Sequence, residues 1–434
     1  MTNYLYEFDN APEAQRFSLV RKWIDHEALP FFKELRESRP VLVTPECTLV
    51  ARYVDVIDLL SQPKVFTTAL YVPKQADGKY LMSHDDDAMH SREKAIMQGF
   101  LNRDELPKVR ALVADLCKDL LERGNGRIEA AYGYCRAVPA GLVQQYFGLT
   151  GISREKLIEW SYWAQYDTFH NQPFDSRTDA ERKHITAEHD RTSEDLSQYI
   201  VELIAHRLLM VKLGVPFHWL ARLWARIFGG KEALSDDIVG RMLRTGFPPE
   251  VGFDIERLGV NAAGLLIGAV ETTARAVAQV LQYLLERPEW SRRAAETARL
   301  PDPTRFDGIV WEALRFVSPF PYTFRECNTE YVVGRGTPYA TPVNPGTYVL
   351  CLTQSAMFDE GAFDSPEEFI AGRNFYHYFH FGFGSHECLG KYVGLVMIPE
   401  MLRQLFRCAE LSAPAPIDYK GGPFAEKYEL TWNP

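Results

Sequence analysis

The residues with the clearest chemical potential lie in the stretch FGFGSHECLG, residues 381–390, where Cys388 sits in a glycine-rich loop. The following residues, 391–407, carry apolar side chains at nearly helical spacing, which places Cys388 at or just before a helix start. Unpaired N–H groups and the positive end of the helix dipole stabilise an anion there. We therefore expect Cys388 to favour the thiolate, which is the form of cysteine that ligates metals.

The other residues of this loop favour a large metal-bearing group as its ligand. Gly382, Gly384 and Gly390 let the backbone come close to something flat and bulky, and Phe381 can shield the sulfur from water. A buried structural cysteine is the usual role of a lone Cys, but it explains neither the glycines nor His386. A zinc site is disfavoured because no second Cys or His pair has ligand spacing.

A second candidate site lies about 120 residues earlier, in the longest helical pattern of the chain, residues 254–287. Glycine inside a helix costs roughly 1 kcal/mol relative to alanine, so Gly268 beside the polar residues Glu271 and Thr272 indicates a reason other than stability. Thr272 can bond the carbonyl of Gly268, four residues back, and open the helix locally. We expect a polar notch there, with Leu265 on the same face.

Together these motifs resemble the cytochrome P450 family. Residues 381–390 match its haem-binding signature, Phe-x-x-Gly-x-His-x-Cys-x-Gly, at every fixed position, and residues 268–273 are similar to its distal helix motif except at Ala269. The resemblance runs from about residue 39 to the end. It implies a mainly α fold with a small β portion, one haem domain over residues 1–434, haem b as the cofactor and Cys388 as the ligand of its iron.

The resemblance also implies which side chains meet the cofactor. His90 and Lys94 share a helix face at i and i+4; the family has arginine at the second position, and lysine keeps its charge without its bidentate fork. The residues expected at the cofactor are His90, Lys94, Arg325, His386, Phe381, Gly384 and Gly390.

Glu312 and Arg315 match the family's Glu-x-x-Arg pair, which is buried and fixes the segment leading to the Cys loop. Ion pairs at i and i+3 are otherwise surface features worth little. The family's third partner, an Arg or His, would fall at Glu368, which is a departure from the pattern. Arg373 is the candidate to replace it.

The function implied is that of a monooxygenase that hydroxylates or epoxidises an apolar small molecule, such as a fatty acid, terpenoid or aromatic metabolite. We expect Thr272 and Glu271 to deliver protons. The alternatives are a peroxide-driven or oxygen-independent haem-thiolate enzyme and a haem sensor or carrier, and the Glu-Thr pair disfavours the first two. By family position, the substrate pocket comprises Leu70, Leu81, Asn261, Leu265, Gly268, Phe320, Tyr322, Thr323 and Phe424.

Composition limits the partners. A net charge of -10 argues against nucleic acid as the main partner. Seven cysteines without a C-x-x-C pair suit a reducing compartment, and the N-terminal residues lack a signal pattern, so we expect a soluble, cytoplasmic protein. Electrons must come from a separate ferredoxin or flavodoxin with its reductase, docking where Arg92, Lys94 and Lys391 form a basic patch.

Helical patterns at residues 106–123, 127–147, 153–170 and 185–210 indicate a mainly helical body, and the resemblance implies that the last two form a mobile lid. Residues 208–231 follow as a basic amphipathic segment. It is interpreted as an extra helix packed on the body, as weak membrane-surface contact through residues 213–228, or as a docking or gating element.

Overall fold

The computed structural model describes residues 3–85, 87–214 and 236–434, with the backbone alone at 77 and 210–214. The structure is 60% helical and 9% strand, which confirms the predicted mainly α class with a small β portion. Of the basic segment predicted at 208–231, residues 208–214 form the end of the helix Asp179–Gly214, and residues 215–231 lie outside the described residues.

Fifteen α-helices occur in the described part of the chain. In order they are α1 (Tyr4–Asn10), α2 (Glu13–His26), α3 (Ala28–Ser38), α4 (Tyr53–Leu60), α5 (Ala88–Phe100), α6 (Leu106–Gly124), α7 (Ala137–Leu142), α8 (Arg154–His170), α9 (Asp179–Gly214), α10 (Ile238–Thr245), α11 (Ile255–Leu285), α12 (Pro288–Ala298), α13 (Thr304–Phe316), α14 (Thr353–Ala356) and α15 (Lys391–Phe406). Two π-helical turns, Ala131–Arg136 and Val143–Phe147, flank α7.

The strands form three sheets. They are β1 (Val41–Val43), β2 (Thr48–Val50), β3 (Phe66–Thr67), β4 (Arg127–Glu129), β5 (Thr323–Cys327), β6 (Tyr331–Val333), β7 (Thr341–Val343), β8 (Tyr348–Cys351), β9 (Ala409–Ser412) and β10 (Glu429–Asn433). The largest sheet has the order β1-β2-β8-β5-β3, the second β4-β10-β9 and the third β6-β7. Only β2 and β8 pair in parallel in the five-stranded sheet.

The central element is α11, which begins at the cap Asp254, whose side chain accepts from the Arg257 N–H. It packs against α7, α8, α9, α12, α13 and α15. Its length and apolarity would suffice to cross a membrane, but 67% of its most apolar stretch is buried inside the protein. Because α11 is buried on most sides, apolar residues occur around nearly its whole circumference.

Short-range features of the sequence account for several elements. Residues 39–66 form a hairpin, β1 with β2, and then the short helix α4. Asp87 caps α5 by accepting a 2.7 Å hydrogen bond from the His90 N–H, and Ser153 caps α8.

The helix predicted from Arg127 is wrong at its start. Residues Arg127–Glu129 form β4, which pairs antiparallel with Glu429–Thr431 of β10. Pairing with β10, about 300 residues further along the chain, determines the extended conformation of residues 127–129, and no local sequence pattern indicates such a partner.

Candidate haem and substrate site

The Cys loop has a backbone shape that only glycine adopts easily. Gly382 and Gly384 have φ of +73° and +75°, and a Cβ at Gly384 would lie 2.6 Å from the Leu60 carbonyl oxygen. The Cys388 N–H donates to the Phe381 carbonyl at 2.8 Å. These constraints hold Cys388 three residues before α15, as the sequence predicts.

Phe381 covers the loop from the side of α15. Its ring lies against Gly394, where a Cβ would come within 2.7 Å of the ring edge, and it packs edge to face on Trp311. The Phe381 ring is therefore fixed between Gly394 and Trp311, and its shielding of the Cys388 sulfur stays a prediction.

Opposing effects act on the Cys388 thiol. Enclosure by the surrounding protein raises the pKa of the thiol, although the side chain is exposed to the cavity, and the Gly390 N–H and the nearby Lys94 ammonium lower that pKa less strongly. Coordination to a metal ion deprotonates a thiol outright, so bound iron would favour the thiolate.

The residues predicted to bind the carboxylates of the cofactor lie together at the cavity wall. The rings of His90 and His386 lie 4.5 Å apart, and Lys94 donates to the carbonyls of Ser385 and Glu387. Burial, with Arg325, His90 and Lys94 nearby, lowers the pKa of His386 to about 2, so its imidazole is neutral. The positive charge that attracts an anion therefore comes from Arg325 and Lys94, and the neutral His386 can donate a hydrogen bond.

These residues fit haem. The Nε2 of His386 is buried with no hydrogen-bond partner, and the resemblance assigns this residue to the propionates. Arg325, His386, Phe381, Gly390 and Cys388 all line a single cavity of about 840 Å³. A cysteine sulfur, a positively charged part of the wall and a large cavity match the three parts of haem that need partners: iron, carboxylates and the flat ring.

The same cavity contains five of the nine residues predicted for the substrate pocket: Leu265, Gly268, Phe320, Tyr322 and Thr323. A Cβ at Gly268 would meet nothing within 4 Å, so this glycine opens onto free space. The Tyr322 hydroxyl accepts a 2.8 Å hydrogen bond from Arg21.

Four predicted pocket residues lie behind the cavity wall. Asn261 is buried and donates to Glu93 at 3.0 Å and to the Arg257 carbonyl. Leu81 is fully buried in the main core and Leu70 packs against the N-terminal core. Phe424 packs behind His170, while its neighbour Pro423 reaches the cavity. The predicted segments do border the cavity, but through neighbouring residues and not through these four side chains.

The predicted notch in α11 is present. The Thr272 hydroxyl donates a 2.7 Å hydrogen bond to the Gly268 carbonyl, and both residues border the cavity that also holds Cys388. The interaction places a polar group opposite the cysteine loop.

Glu271 occupies a different position from its neighbour. It does not line the cavity. Instead its Oε1 accepts a 2.6 Å hydrogen bond from Arg136 Nε, and both side chains are 1% exposed. Burial raises the pKa of Glu271 and Arg136 offsets part of that rise. In this conformation Glu271 is half of a buried ion pair.

The Glu-x-x-Arg pair is buried, with both side chains 0% exposed and an N–O distance of 2.7 Å. Arg373 supplies the third member, donating to Glu312 at 3.2 Å, and Tyr378 donates to the other carboxylate oxygen at 2.6 Å. Arg315 also donates to the Glu368 carbonyl. The replacement predicted for the departure at Glu368 is thus confirmed.

The predicted basic docking patch is only partly available. Lys94 points inward to backbone carbonyls, and Lys391 forms a 2.6 Å ion pair with Glu387. Arg92 forms no ion pair with the described residues.

Sequence reasoning missed the polar part of the cavity wall. It includes Arg21, Asp175, Arg177, His170 and Arg275. These residues come from α2, α8, α11 and the segment between α8 and α9, and only the folded chain brings them together.

Comparisons with known proteins agree with this geometry. Residues 183–415 match the family model for cytochrome P450. The steroid C26-monooxygenase of Mycobacterium tuberculosis is 24% identical over 392 residues, covering 89% of this chain and 87% of that protein. The erythromycin C-12 hydroxylase of Saccharopolyspora erythraea is 25% identical, covering 79% and 76%. Among solved structures, cytochrome P450 CYP109Q5 from Chondromyces apiculatus superimposes with a TM-score of 0.72 at 19% identity, covering 95% and 96%.

The family match spans more than half of the chain. The cysteine loop and the notch in the central helix border the same cavity, and the Glu-x-x-Arg pair is buried. The chain therefore belongs to the cytochrome P450 family, and it is a monooxygenase whose cofactor is haem b.

Proposed function

We propose that this enzyme inserts one atom of O2 into an apolar small molecule of the fatty acid, terpenoid or aromatic class, by hydroxylation or epoxidation. A separate ferredoxin or flavodoxin and its reductase supply the electrons. The proposal rests on one observation: Cys388 and Thr272 border the same enclosed cavity of about 840 Å³. A cavity of this size accommodates a cofactor and a small substrate together.

Haem b, when bound, supplies the iron at which O2 is activated for insertion. Cys388 is the residue that would hold the iron, and Phe381 keeps water from the sulfur. Arg325, His386 and the side chains behind them, His90 and Lys94, would hold the propionates.

Thr272 is the residue proposed to handle protons inside the cavity. Because its hydroxyl hydrogen is given to the Gly268 carbonyl, its oxygen can accept a hydrogen bond from a water molecule in the cavity. Rotation of the hydroxyl then frees that hydrogen for donation. Thr272 thus holds a proton donor at a fixed place in a largely apolar space.

Glu271 remains proposed as the group that takes up protons from outside, with a condition set by the structure. Its carboxylate has to leave Arg136 and turn toward the cavity before it can serve Thr272. Arg136 therefore controls access to the relay. Glu426, whose Oε1 lies 4.0 Å from Arg136 Nη2, is a carboxylate that could receive Arg136 when Glu271 leaves.

The substrate's apolar body would lie against Leu265, Phe320 and Thr323, which border the cavity. Tyr322 is already hydrogen-bonded to Arg21 and forms part of the wall. We also propose that the chain is one haem domain that works in the cytoplasm. Weak membrane contact through 213–228 concerns a segment outside the described residues.

The test is turnover with NAD(P)H, a ferredoxin and its reductase, under ¹⁸O2, on compounds chosen because they shift the haem spin state. Incorporation of one ¹⁸O atom per product is the expected result. Product formed from hydrogen peroxide alone, or without O2, would favour the peroxide-driven or oxygen-independent alternative. Ligand binding with no oxygen consumption would favour a sensor or carrier.

A further inference from the structure

Arg275 is a half-buried arginine at the cavity wall with most of its donors unused. It lies on α11, three residues after Thr272, so it shares the face of the helix that borders the cavity. Its Nη1 donates to His170 Nε2 at 3.1 Å. Its Nε is buried without a partner, and no carboxylate of the described residues pairs with it.

His170 does not compensate this charge. Burial, together with Arg275, Arg177 and Arg21, lowers the pKa of His170 well below its ordinary 6.5. A neutral imidazole whose Nε2 accepts from Arg275 donates through Nδ1 and carries no negative charge. The ring orients Arg275 but does not neutralise it.

The neighbouring arginines add to the positive charge. Arg21 holds both nearby carboxylates, Asp25 at 3.2 Å and Asp175 at 3.6 Å. Arg177 donates its Nε to the His170 carbonyl and forms no ion pair among the described side chains. This part of the cavity therefore contains three guanidinium groups and two carboxylates, and both carboxylates form ion pairs with Arg21.

Aromatic rings fix the position of Arg275. Its guanidinium carbon lies 5.7 Å from the centroid of Phe320. The same Phe320 is nearly parallel to His170, at 6.5 Å, and Phe424 meets His170 edge to face at 5.4 Å. Because Nη1 is held by His170 and Nε is buried, Nη2 is the guanidinium donor that is open to a ligand in the cavity, where it can form a charge-assisted hydrogen bond.

A charge without a partner in a desolvated place is costly, and arginine cannot avoid that cost by losing its proton. Burial lowers the pKa of Arg275 more than the surrounding groups raise it. A ligand with a negative charge would supply the missing partner. Gln279, one turn further along α11, also lines the cavity, and its side-chain amide can donate a hydrogen bond to a carboxylate through Nε2.

We propose that the substrate of this enzyme is a carboxylic acid, whose carboxylate is bound by Nη2 of Arg275 with Gln279 beside it. The inference rests on the proposed monooxygenase function, since it names the substrate class of the same cavity. The apolar body of the acid extends from Arg275 along the cavity wall past Thr272 toward Leu265, a distance along the helix of about 15 Å from residue 275 to 265. A neutral substrate would leave the positive charge of Arg275 unpaired.

The test compares acids with their own methyl esters. Holoenzyme is titrated near pH 7 with dodecanoic acid, 3-phenylpropanoic acid and the methyl ester of each, and binding is followed by the haem spin-state change and by the thermal unfolding midpoint. We expect at least one acid to bind about tenfold or more tightly than its ester, the size typical of a buried charge-assisted hydrogen-bond pair. If no acid binds more tightly than its ester, the proposal is overturned.

Variants locate the preference. In Arg275→Gln the acid should lose its advantage over the ester while ester affinity stays within about twofold, and Arg275→Lys should keep part of it, because lysine retains the charge without the fork. Arg292→Gln, at a side chain that is 72% exposed, is the matched control and should change nothing. Equal weakening of acid and ester in Arg275→Gln would overturn the proposal.

Two further outcomes are distinguishable. If Arg275 served the haem propionates instead, Arg275→Gln would lose haem with no change in acid preference, which overturns the proposal. If the monooxygenase function itself were wrong, no ¹⁸O from ¹⁸O2 would enter a product, even where an acid binds more tightly than its ester. A variant that does not fold leaves the comparison of acid with ester in wild type as the decisive measurement.

Discussion

Arg136 Nε donates a 2.6 Å hydrogen bond to Glu271 Oε1 across an interface in which both side chains are 1% exposed. Arg136 ends the π-helical turn before α7 and also donates to the Ala425 carbonyl at 2.7 Å. The ion pair therefore connects the central helix α11 with two other parts of the chain. It also keeps the residue next to Thr272 away from the cavity.

Removing Arg136 alone should destabilise the protein strongly. Arg136→Met leaves the Glu271 carboxylate buried without its partner, and loss of one member of a buried pair costs about 3–5 kcal/mol in unfolding free energy. The double variant Arg136→Met with Glu271→Gln should be more stable than Arg136→Met alone. Urea denaturation of the four proteins measures this cycle, and strictly additive losses would show that the two residues are not coupled.

Thr272 and Glu271 should give different defects in catalysis. Thr272→Ala is expected to leave substrate binding and NAD(P)H consumption nearly intact while diverting most of the flux to hydrogen peroxide, because the proton donor in the cavity is lost. Thr272→Ser keeps the hydroxyl and is the control. Fully coupled product formation by Thr272→Ala would contradict the role given to this residue.

Glu271→Gln should slow turnover and raise the solvent isotope effect above that of wild type, because the supply of protons from outside becomes limiting. Arg136→Lys keeps a cation beside Glu271 and is the matched comparison. A turnover number and isotope effect equal to those of wild type in Glu271→Gln would show that protons reach Thr272 without this carboxylate.

The sequence predicted best those parts of the site that depend on residues close together in the chain or on one motif. Short spacings determine the glycines around Cys388 and the Thr272 to Gly268 hydrogen bond. The Glu-x-x-Arg motif led to the pairing of Arg373 with Glu312. The cap of α5 also depends on a short spacing, since the Asp87 side chain accepts from the His90 N–H.

Prediction from the sequence failed where a residue far away along the chain determines the direction of a side chain. Glu271 and Thr272 are adjacent, but Arg136 determines that only Thr272 faces the cavity. Asn261 turns to Glu93 in the same way. Arg275 had no motif, because its importance comes from the absence of a partner, which only the packed structure displays.

Gly384 should be essential for forming the cofactor site. Gly384→Ala places a Cβ 2.6 Å from the Leu60 carbonyl oxygen at a φ of +75°, so the Cys loop cannot keep its shape. Gly346→Ala is the matched control, since Gly346 has a φ of +83° but nothing within 4 Å of an added Cβ. We expect haem content to fall several-fold only in Gly384→Ala, and equal haem content in both variants would contradict this.

The buried Glu312 should contribute to acid stability. Burial alone would raise the pKa of Glu312, but hydrogen bonds from Arg315 and Tyr378 outweigh burial and hold that pKa below its ordinary 4.5. A carboxyl with a lowered folded-state pKa stabilises the protein above pH 4.5, and this contribution is lost as the pH falls through the folded-state value.

The measurement for Glu312 is unfolding free energy against pH. The difference between wild type and Glu312→Gln should be greatest near neutral pH and should shrink below about pH 4.5. Glu367→Gln, at a side chain that is 57% exposed, is the control and should show little difference at any pH. A gap between wild type and Glu312→Gln that widens in acid would contradict the assigned sign.

The most direct test of the account is the carbonyl spectrum of the reduced Cys388→Ser variant. Cys351→Ser and Cys327→Ser, at buried cysteines in β8 and β5, serve as controls. We predict that Cys388→Ser loses the thiolate-type band completely while both controls keep it. An unchanged thiolate-type band in Cys388→Ser would contradict the assignment of Cys388 as the iron ligand and the site built around it.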